Sequence, residues 1–107
     1  MKYKIDDLVV DTDSRCVYRA GEERCLSFTE YELLMYLLKH QNKVISRSEL
    51  LENVFTNSKA GYANDTNIVD VYIAYVRREV ERGSDNKLIH TVRNVGYMCQ
   101  DKSSVKI

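Results

Sequence analysis

The sequence predicts an α+β fold with strands at both ends of the chain and helices between them. Three observations lead there: four short alternating runs near the N-terminus, two S/T-x-x-E helix openings, and a long amphipathic segment followed directly by a hairpin signal. Lys4-Ile5, Leu8 to Asp11, Arg15 to Arg19 and Glu22 to Ser27 are separated by the turn-prone Asp6-Asp7, Asp13-Ser14 and Ala20-Gly21. That pattern predicts a four-stranded antiparallel sheet over about residues 3–28.

In Thr29-x-x-Glu32 a hydroxyl and a carboxylate are spaced to satisfy the free N–H groups of a helix start, a capping box. The helix it opens, over about residues 29–40, would bury Leu33, Leu34, Leu37 and Leu38. Ser46-x-x-Glu49 is a second box, opening a helix over about residues 46–55 with Leu50, Val54 and Phe55 toward the core. Because a helix start offers N–H groups to anions, Ser46 and Arg47 are candidate phosphate contacts. The Arg47 guanidinium is equally placed to tie this helix to Asp70 on the next. Thr56 to Asn64 is a polar connection containing Gly61, and Asn64, Asp65 and Thr66 are all competent caps for a third helix.

From about residue 65 to 82, ending at the stop signal Gly83, that third helix places Val69, Tyr72, Ile73, Val76 and Val80 on one stripe. Its opposite face carries Asn67, Val71, Ala74, Tyr75, Arg78 and Arg82. A solvated helix back is normally dominated by charge. An amide, a β-branched residue, a tyrosine and guanidiniums together suit the floor of a DNA major groove, where Asn and Arg hydrogen-bond base edges and Val meets a thymine methyl. Leu88 to Val92 then alternates around His90 and Thr91, Asn94-Val95-Gly96 reads as a tight turn, and Tyr97 to Cys99 can return as a second strand, a hairpin over about residues 87–100. A helix of this kind with a hairpin directly after it is the layout of a winged helix-turn-helix. In that layout Asn67, Val71, Tyr72, Tyr75, Arg77 and Arg78 are the candidate recognition-helix contacts, and Thr91, Arg93, Asn94 and Tyr97 the candidate wing contacts.

The run Ser46-Arg47-x-x-Leu50-x-x-x-Val54-Phe55, Val69-Asp70-Val71-Tyr72-Ile73, the pair Arg77-Arg78, Thr91 to Tyr97 (TVRNVGY) and the segment Leu26 to Leu34 (LSFTEYELL) occur in one order and spacing. Together they resemble the C-terminal effector domain of OmpR/PhoB-type response regulators, over nearly the whole chain. The resemblance implies sequence-specific binding of double-stranded DNA for transcription regulation, as a homodimer on direct-repeat half-sites, with the isolated domain monomeric. It also implies that the loop from Thr56 to Asn64 faces RNA polymerase, with Lys59 and Tyr62 as candidate contacts. The family's receiver domain, with its phosphoacceptor aspartate, is not among these residues. Asn67, Ala74 and Tyr75 stand where relatives often hold arginine, and Asn94 replaces the first glycine of the usual R-G-x-G-Y wing. Asn tolerates a left-handed backbone better than most residues, so the turn should survive while the base preference changes.

At 107 residues and 44% hydrophobic, the chain has the size and apolar content of one domain. Sixteen basic and sixteen acidic residues cancel, which is unusual for a DNA binder. The spread is uneven: acidic residues crowd the first third, while Arg77, Arg78, Arg82, Lys87 and Arg93 cluster late, predicting a local basic patch of modest strength. The three cysteines, Cys16, Cys25 and Cys99, form no C-x-x-C pair, so no metal, cofactor or disulfide framework is expected. A two-residue loop at Ala20-Gly21 would set Cys16 opposite Cys25, whereas a three-residue loop would pair Cys16 with Arg24; packing is favoured over redox chemistry. No catalytic motif is present, no run is long enough to span a membrane, and no secretory signal precedes Asp6, so a cytoplasmic protein that is not an enzyme is expected. The rival reading is a winged-helix protein-interaction module with weak DNA binding, distinguishable by its insensitivity to salt.

Overall fold

The N-terminal strands arise where apolar and polar residues alternate between short turns. In the computed structural model, which describes residues 1–55 and 65–102, β1 (Lys2–Ile5), β2 (Leu8–Asp11), β3 (Cys16–Arg19) and β4 (Glu22–Arg24) form an antiparallel sheet in sequential order. Ile5 pairs with Leu8, Val10 with Val17 and Arg19 with Glu22. The β3–β4 turn has two residues, Ala20 and Gly21, with φ of 54° and 78°, the positive pair that a tight hairpin turn needs. All four expected strands are present, though β4 ends at Arg24 rather than Ser27.

Ser27 instead caps α1 (Phe28–Lys39): its hydroxyl accepts from Glu30 N while the Glu30 carboxylate accepts from Ser27 N. The capping box therefore lies two residues before the expected Thr29 and Glu32. Ser27 keeps the extended backbone of the preceding segment (ψ 169°), so the chain enters the helix without a loop, and Glu32 sits beside Arg15 at 3.7 Å. The expected leucine stripe is buried, joined by Tyr31 and Met35. The second box is half formed. Ser46 accepts from Glu49 N at 3.0 Å, but the Glu49 carboxylate accepts from the Tyr36 hydroxyl at 2.7 Å and so links the second helix to the first. That helix begins as α2 (Arg47–Leu50) and continues as a π-helical turn over Leu51–Phe55, where the Asn53 side-chain amide donates to Glu49 O at 2.8 Å.

α3 (Asn67–Val80) buries Val69, Ile73, Val76 and Val80. Of the three candidate caps, Asn64 lies outside the described residues, Thr66 makes no side-chain cap bond, and the Asp65 carboxylate accepts from Asn67 N at 3.0 Å. Two residues, Ile45–Ser46, form β5, a strand that periodicity does not predict. It pairs with β7 (Gly96–Cys99), which pairs in turn with β6 (Ile89–Val92), giving a three-stranded sheet in the order β5, β7, β6. The wing turn comprises Arg93, Asn94 and Val95, closed by Val95 N donating to Val92 O at 2.9 Å. Asn94 is the left-handed residue, with φ 65°. Gly96 belongs to β7 rather than to the turn. A Cβ there would stand 1.9 Å from Ile45 O, so the missing side chain is what lets β5 approach β7.

Arg19 joins the two halves of the molecule. It is completely buried, and its guanidinium donates to the Asp7 carboxylate in the β1–β2 turn, to Val80 O at the end of α3 (3.1 Å), to Ser84 Oγ (2.7 Å) and to Asn86 O. The hydrogen bond from Arg19 holds the Asp7 carboxyl below its ordinary range. That contribution is complete above the unfolded carboxylate pKa of about 4 and is lost as pH falls through the lowered folded value. Removing the guanidinium takes the side-chain donor from Val80 O, whereas Asn86 O keeps Ser84 Oγ and the part-exposed Asp7 carboxylate can turn to water. Arg19→Met should therefore lower unfolding free energy by about 2 to 3 kcal/mol in urea titration. A loss below about 1 kcal/mol, the scale of an ordinary hydrogen bond, would show that water replaces Arg19 at little cost.

Candidate nucleic-acid interface

With one side of α3 fixed in the core, the other side faces out. Asn67, Val71, Ala74, Tyr75, Arg78 and Arg82 are all exposed, and Val71 and Tyr75 are 41% and 37% accessible, uncommon values for large apolar side chains on a helix otherwise so well anchored. The Tyr75 ring is not loose. It meets Tyr72 edge-on at 5.5 Å, and Tyr72 meets Phe55 in the same way at 5.3 Å. The Arg78 guanidinium lies over Tyr75, 5.2 Å from the ring centre, a cation–π contact. A ladder from Phe55 through Tyr72 and Tyr75 to Arg78 thus runs from core to surface. Tyr72, expected as a DNA contact, is half-buried and serves as the ladder's middle rung.

Arg77 leaves the outward face altogether. Its Nε and Nη2 donate to Ile89 O at 3.3 and 3.2 Å, Nη2 also donates to Thr91 Oγ1 at 2.7 Å, and the group lies over the Tyr97 ring. The residue straps α3 to β6, which occupies Thr91 as well. Arg82 is beside Glu22 and Glu79 at 3.6 and 3.5 Å, and the Lys87 ammonium donates to Ser84 O and Glu81 O past the end of α3. Of the five late cations, Arg78 and Arg93 are exposed with no ion-pair or hydrogen-bond partner among the described residues. The basic patch is narrower than the sequence implies, because the fold uses three of its members internally.

Tyr97 is 5% accessible, and its hydroxyl donates to the Asp70 carboxylate. The expectation that it contacts DNA from the wing gives way to a place in the scaffold. Burial, then the bond to Asp70, pushes the phenol above its ordinary pKa. Arg47 Nε donates to the same Asp70 oxygen at 2.9 Å, and the carboxylate raises the guanidinium's pKa further. Asp70 therefore fastens α2, α3 and β7 at one point. Arg47 keeps about half its side chain exposed (46%), whereas the Ser46 hydroxyl is engaged in capping α2. Asn94 and Arg93 stand exposed at the wing turn beside Val95. Lys59 and Tyr62 lie outside the described residues. Sequence reasoning missed Arg19, Arg24 and Glu81. All three are buried, and Glu81 accepts from Leu88 N and Ile89 N, seating the first strand of the wing on the end of α3.

Among the described residues no helix is long and apolar enough to cross a membrane, and no group of three or more His, Cys, Asp or Glu is placed to hold a metal ion. If Asp70 acts through the shared contact, Asp70→Ala should cost about 1 to 3 kcal/mol of stability, and adding Tyr97→Phe should cost less than the sum of the two single changes. Additive losses in a double-mutant cycle would separate the two residues.

Residues 21–99 match the model of the family described as "Transcriptional regulatory protein, C terminal". YkoG of Bacillus subtilis (strain 168), an uncharacterized transcriptional regulatory protein, is 42% identical over 92 residues, covering 86% of this chain and 39% of YkoG. DrrB, an OmpR/PhoB homologue response regulator of Thermotoga maritima, superposes with a TM-score of 0.79 at 28% identity, over 92% of this chain and 44% of that one. The RstA DNA-binding domain of Klebsiella pneumoniae, solved in complex with the RstA box, gives 0.78 at 28% identity, over 94% of this chain and 97% of that one. This chain thus spans about two fifths of YkoG, and its fold corresponds to an entire DNA-binding domain of the Klebsiella protein. The helix order, the wing and the match over most of the sequence place this chain in the OmpR/PhoB-type family of C-terminal domains of transcriptional regulatory proteins.

Proposed function

We propose that this domain binds double-stranded DNA sequence-specifically and so regulates transcription, with α3 in the major groove and the wing turn against backbone or minor groove. The observation that carries the reading is the outward face of α3, where Val71 and Tyr75 stand exposed one turn apart on a helix pinned at both ends. Asn67, Val71 and Tyr75 are assigned to base edges, Arg78 to a guanine or a phosphate, and Arg93 to the backbone, with Arg47 a backbone contact at the start of α2. Two guanidiniums free of ion pairs and hydrogen bonds neutralise few phosphates, and binding strength at physiological salt depends on the number neutralised. Useful affinity therefore calls for two domains on adjacent half-sites, in a cytoplasmic regulator that meets RNA polymerase through the loop between α2 and α3. Catalysis has no place in this reading.

The exposed Val71 and Tyr75, together with zero net charge, also favour a protein-binding surface, and salt dependence separates the two. Duplexes selected from a random pool supply the site, and binding curves are then measured on that site, its single-base variants and a scrambled duplex at one stated salt concentration. Val71→Ala and Tyr75→Ala should leave the fold intact and shift base preference at one or two positions by about 1 to 3 kcal/mol. If tethered pairs of the parent domain prefer no duplex, or both variants bind every duplex as the parent does, the protein-binding reading leads.

For the wing, Arg93→Ala should weaken binding to all duplexes by similar factors and lower the salt slope by about one unit. Equal slopes for variant and parent would remove Arg93 from the phosphate contacts.

A further inference from the structure

The solvent face of the N-terminal sheet carries two thiols that the α3 surface does not use. Across the two-residue turn at Ala20-Gly21, Arg19 pairs with Glu22, Tyr18 with Glu23 and Val17 with Arg24. The ladder ends there, and carrying its alternation one residue further would set Cys16 opposite Cys25. Burial supports the step: Val17 and Arg24 are buried, Cys16 is half-buried, Cys25 is exposed, and Leu26 packs against the core. Arg24, Cys25 and Leu26 therefore alternate in, out and in, as extended chain does.

The type of pair matters too. In a hairpin closed by a two-residue turn, the residues flanking the turn exchange hydrogen bonds, and bonded and non-bonded pairs alternate from there. Counting out from Arg19 with Glu22, Cys16 with Cys25 falls on a non-bonded pair. Such pairs bring Cα atoms to about 4.5 Å, inside the range of about 4.4 to 6.8 Å that a disulfide spans. On its other side Cys16 is held in β3 by pairing with Asp11. Its sulfur makes a weak contact with Ser14 O at 3.8 Å, which rotation about χ1 can exchange for a bond to Cys25.

We infer that Cys16 and Cys25 are a site of reversible disulfide formation across the open end of the β3–β4 hairpin, with a low-molecular-weight disulfide as oxidant. The exposed Cys25 thiolate attacks one sulfur of the small disulfide and expels one small thiol. The Cys16 thiolate then attacks the Cys25 sulfur of the mixed disulfide and expels the second. Both protein thiols lose their protons, the protein gives up two electrons, and the small disulfide is reduced to two thiols. Cys99 stays out of the exchange: it is fully buried in β7, and burial pushes its thiol up to about 12. Closure would staple β4 to β3 just before Ser27, the residue that caps α1.

The reduced chain is incubated with glutathione disulfide, quenched by alkylation under denaturing conditions and weighed intact. The parent should lose the mass of two hydrogen atoms, keep one alkylable thiol at Cys99, and migrate as a monomer without reductant. Cys16→Ser should instead accumulate a glutathione adduct on Cys25, since no partner resolves it. A parent chain that ends with glutathione on Cys25, with adducts on both cysteines, or as a disulfide-linked dimer overturns the inference.

Discussion

One buried guanidinium holds this fold in register. Arg19 ends a strand of the N-terminal sheet, yet its donors reach the β1–β2 turn, the last turn of α3 and the loop beyond it. Taking a guanidinium out of water costs several kcal/mol, recovered only when every donor finds an acceptor. Here the acceptors come from segments far apart in sequence, so the charge is satisfied only when the sheet and α3 dock in one relation. Arg24 is buried as well but less completely satisfied, its Nη1 donating to Glu79 O at 3.2 Å while its Nε finds no acceptor among the described residues. Together with Lys87 it gathers positive charge around the carbonyl end of α3, where the helix dipole favours cations. Arg19 anchors one end of α3, and Asp70, gripped by Arg47 and Tyr97, anchors it toward the other. A helix held at both ends from one side presents its remaining side in a fixed orientation.

That architecture has an electrostatic consequence. A count of late basic residues implies a patch for nucleic acid, but Arg77, Arg82 and Lys87 are engaged with carbonyls, a hydroxyl and carboxylates of the same chain. Bonds to neutral carbonyls and a hydroxyl leave the charges of Arg77 and Lys87 in place but hold those side chains against the protein, and carboxylates within 4 Å offset Arg77 and Arg82. The outward face is thus weakly charged and comparatively rich in shape, which moves discrimination away from phosphate attraction and toward Val71, Tyr75 and Asn67.

Elements whose signal is local are legible in the sequence. The buried stripe of α3, the leucines of α1 and the four N-terminal strands come from periodicity and turn residues, and the link between Arg47 and Asp70 comes from their places on adjoining helices. Non-local features are not legible. β5 is two residues long and exists because Tyr97 and Gly96 lie beside Ile45 and Ser46, a pairing with no trace in the neighbouring sequence. Gly96 reads as a turn residue because glycine marks both turns and close approaches, and only the contact with Ile45 decides between them. The α1 start is displaced from its expected position because two overlapping S/T-x-x-E patterns, from Ser27 and from Thr29, are locally equivalent. Arg19 gives no sign of burial, since a charged residue at a strand end is normally solvated. Tyr97 and Tyr72 look available to DNA for a similar reason: a tyrosine offers an apolar ring and a polar tip, and tertiary packing decides which of them is engaged.

The aromatic ladder bears on how so few free cations can support selective binding. Ordering a rotamer-rich side chain at an interface costs about 0.5 to 1.5 kcal/mol. Tyr75 is already set against Tyr72, which is set against Phe55, and Arg78 is already drawn over Tyr75. Much of that ordering is complete before any ligand arrives. The chain of contacts also ties the outward face of α3 to the end of the second helix, because Phe55 is the last residue of the π-helical turn. A change in how that turn packs would therefore be transmitted to the position of Tyr75, which makes the turn mechanically continuous with the surface assigned to base recognition.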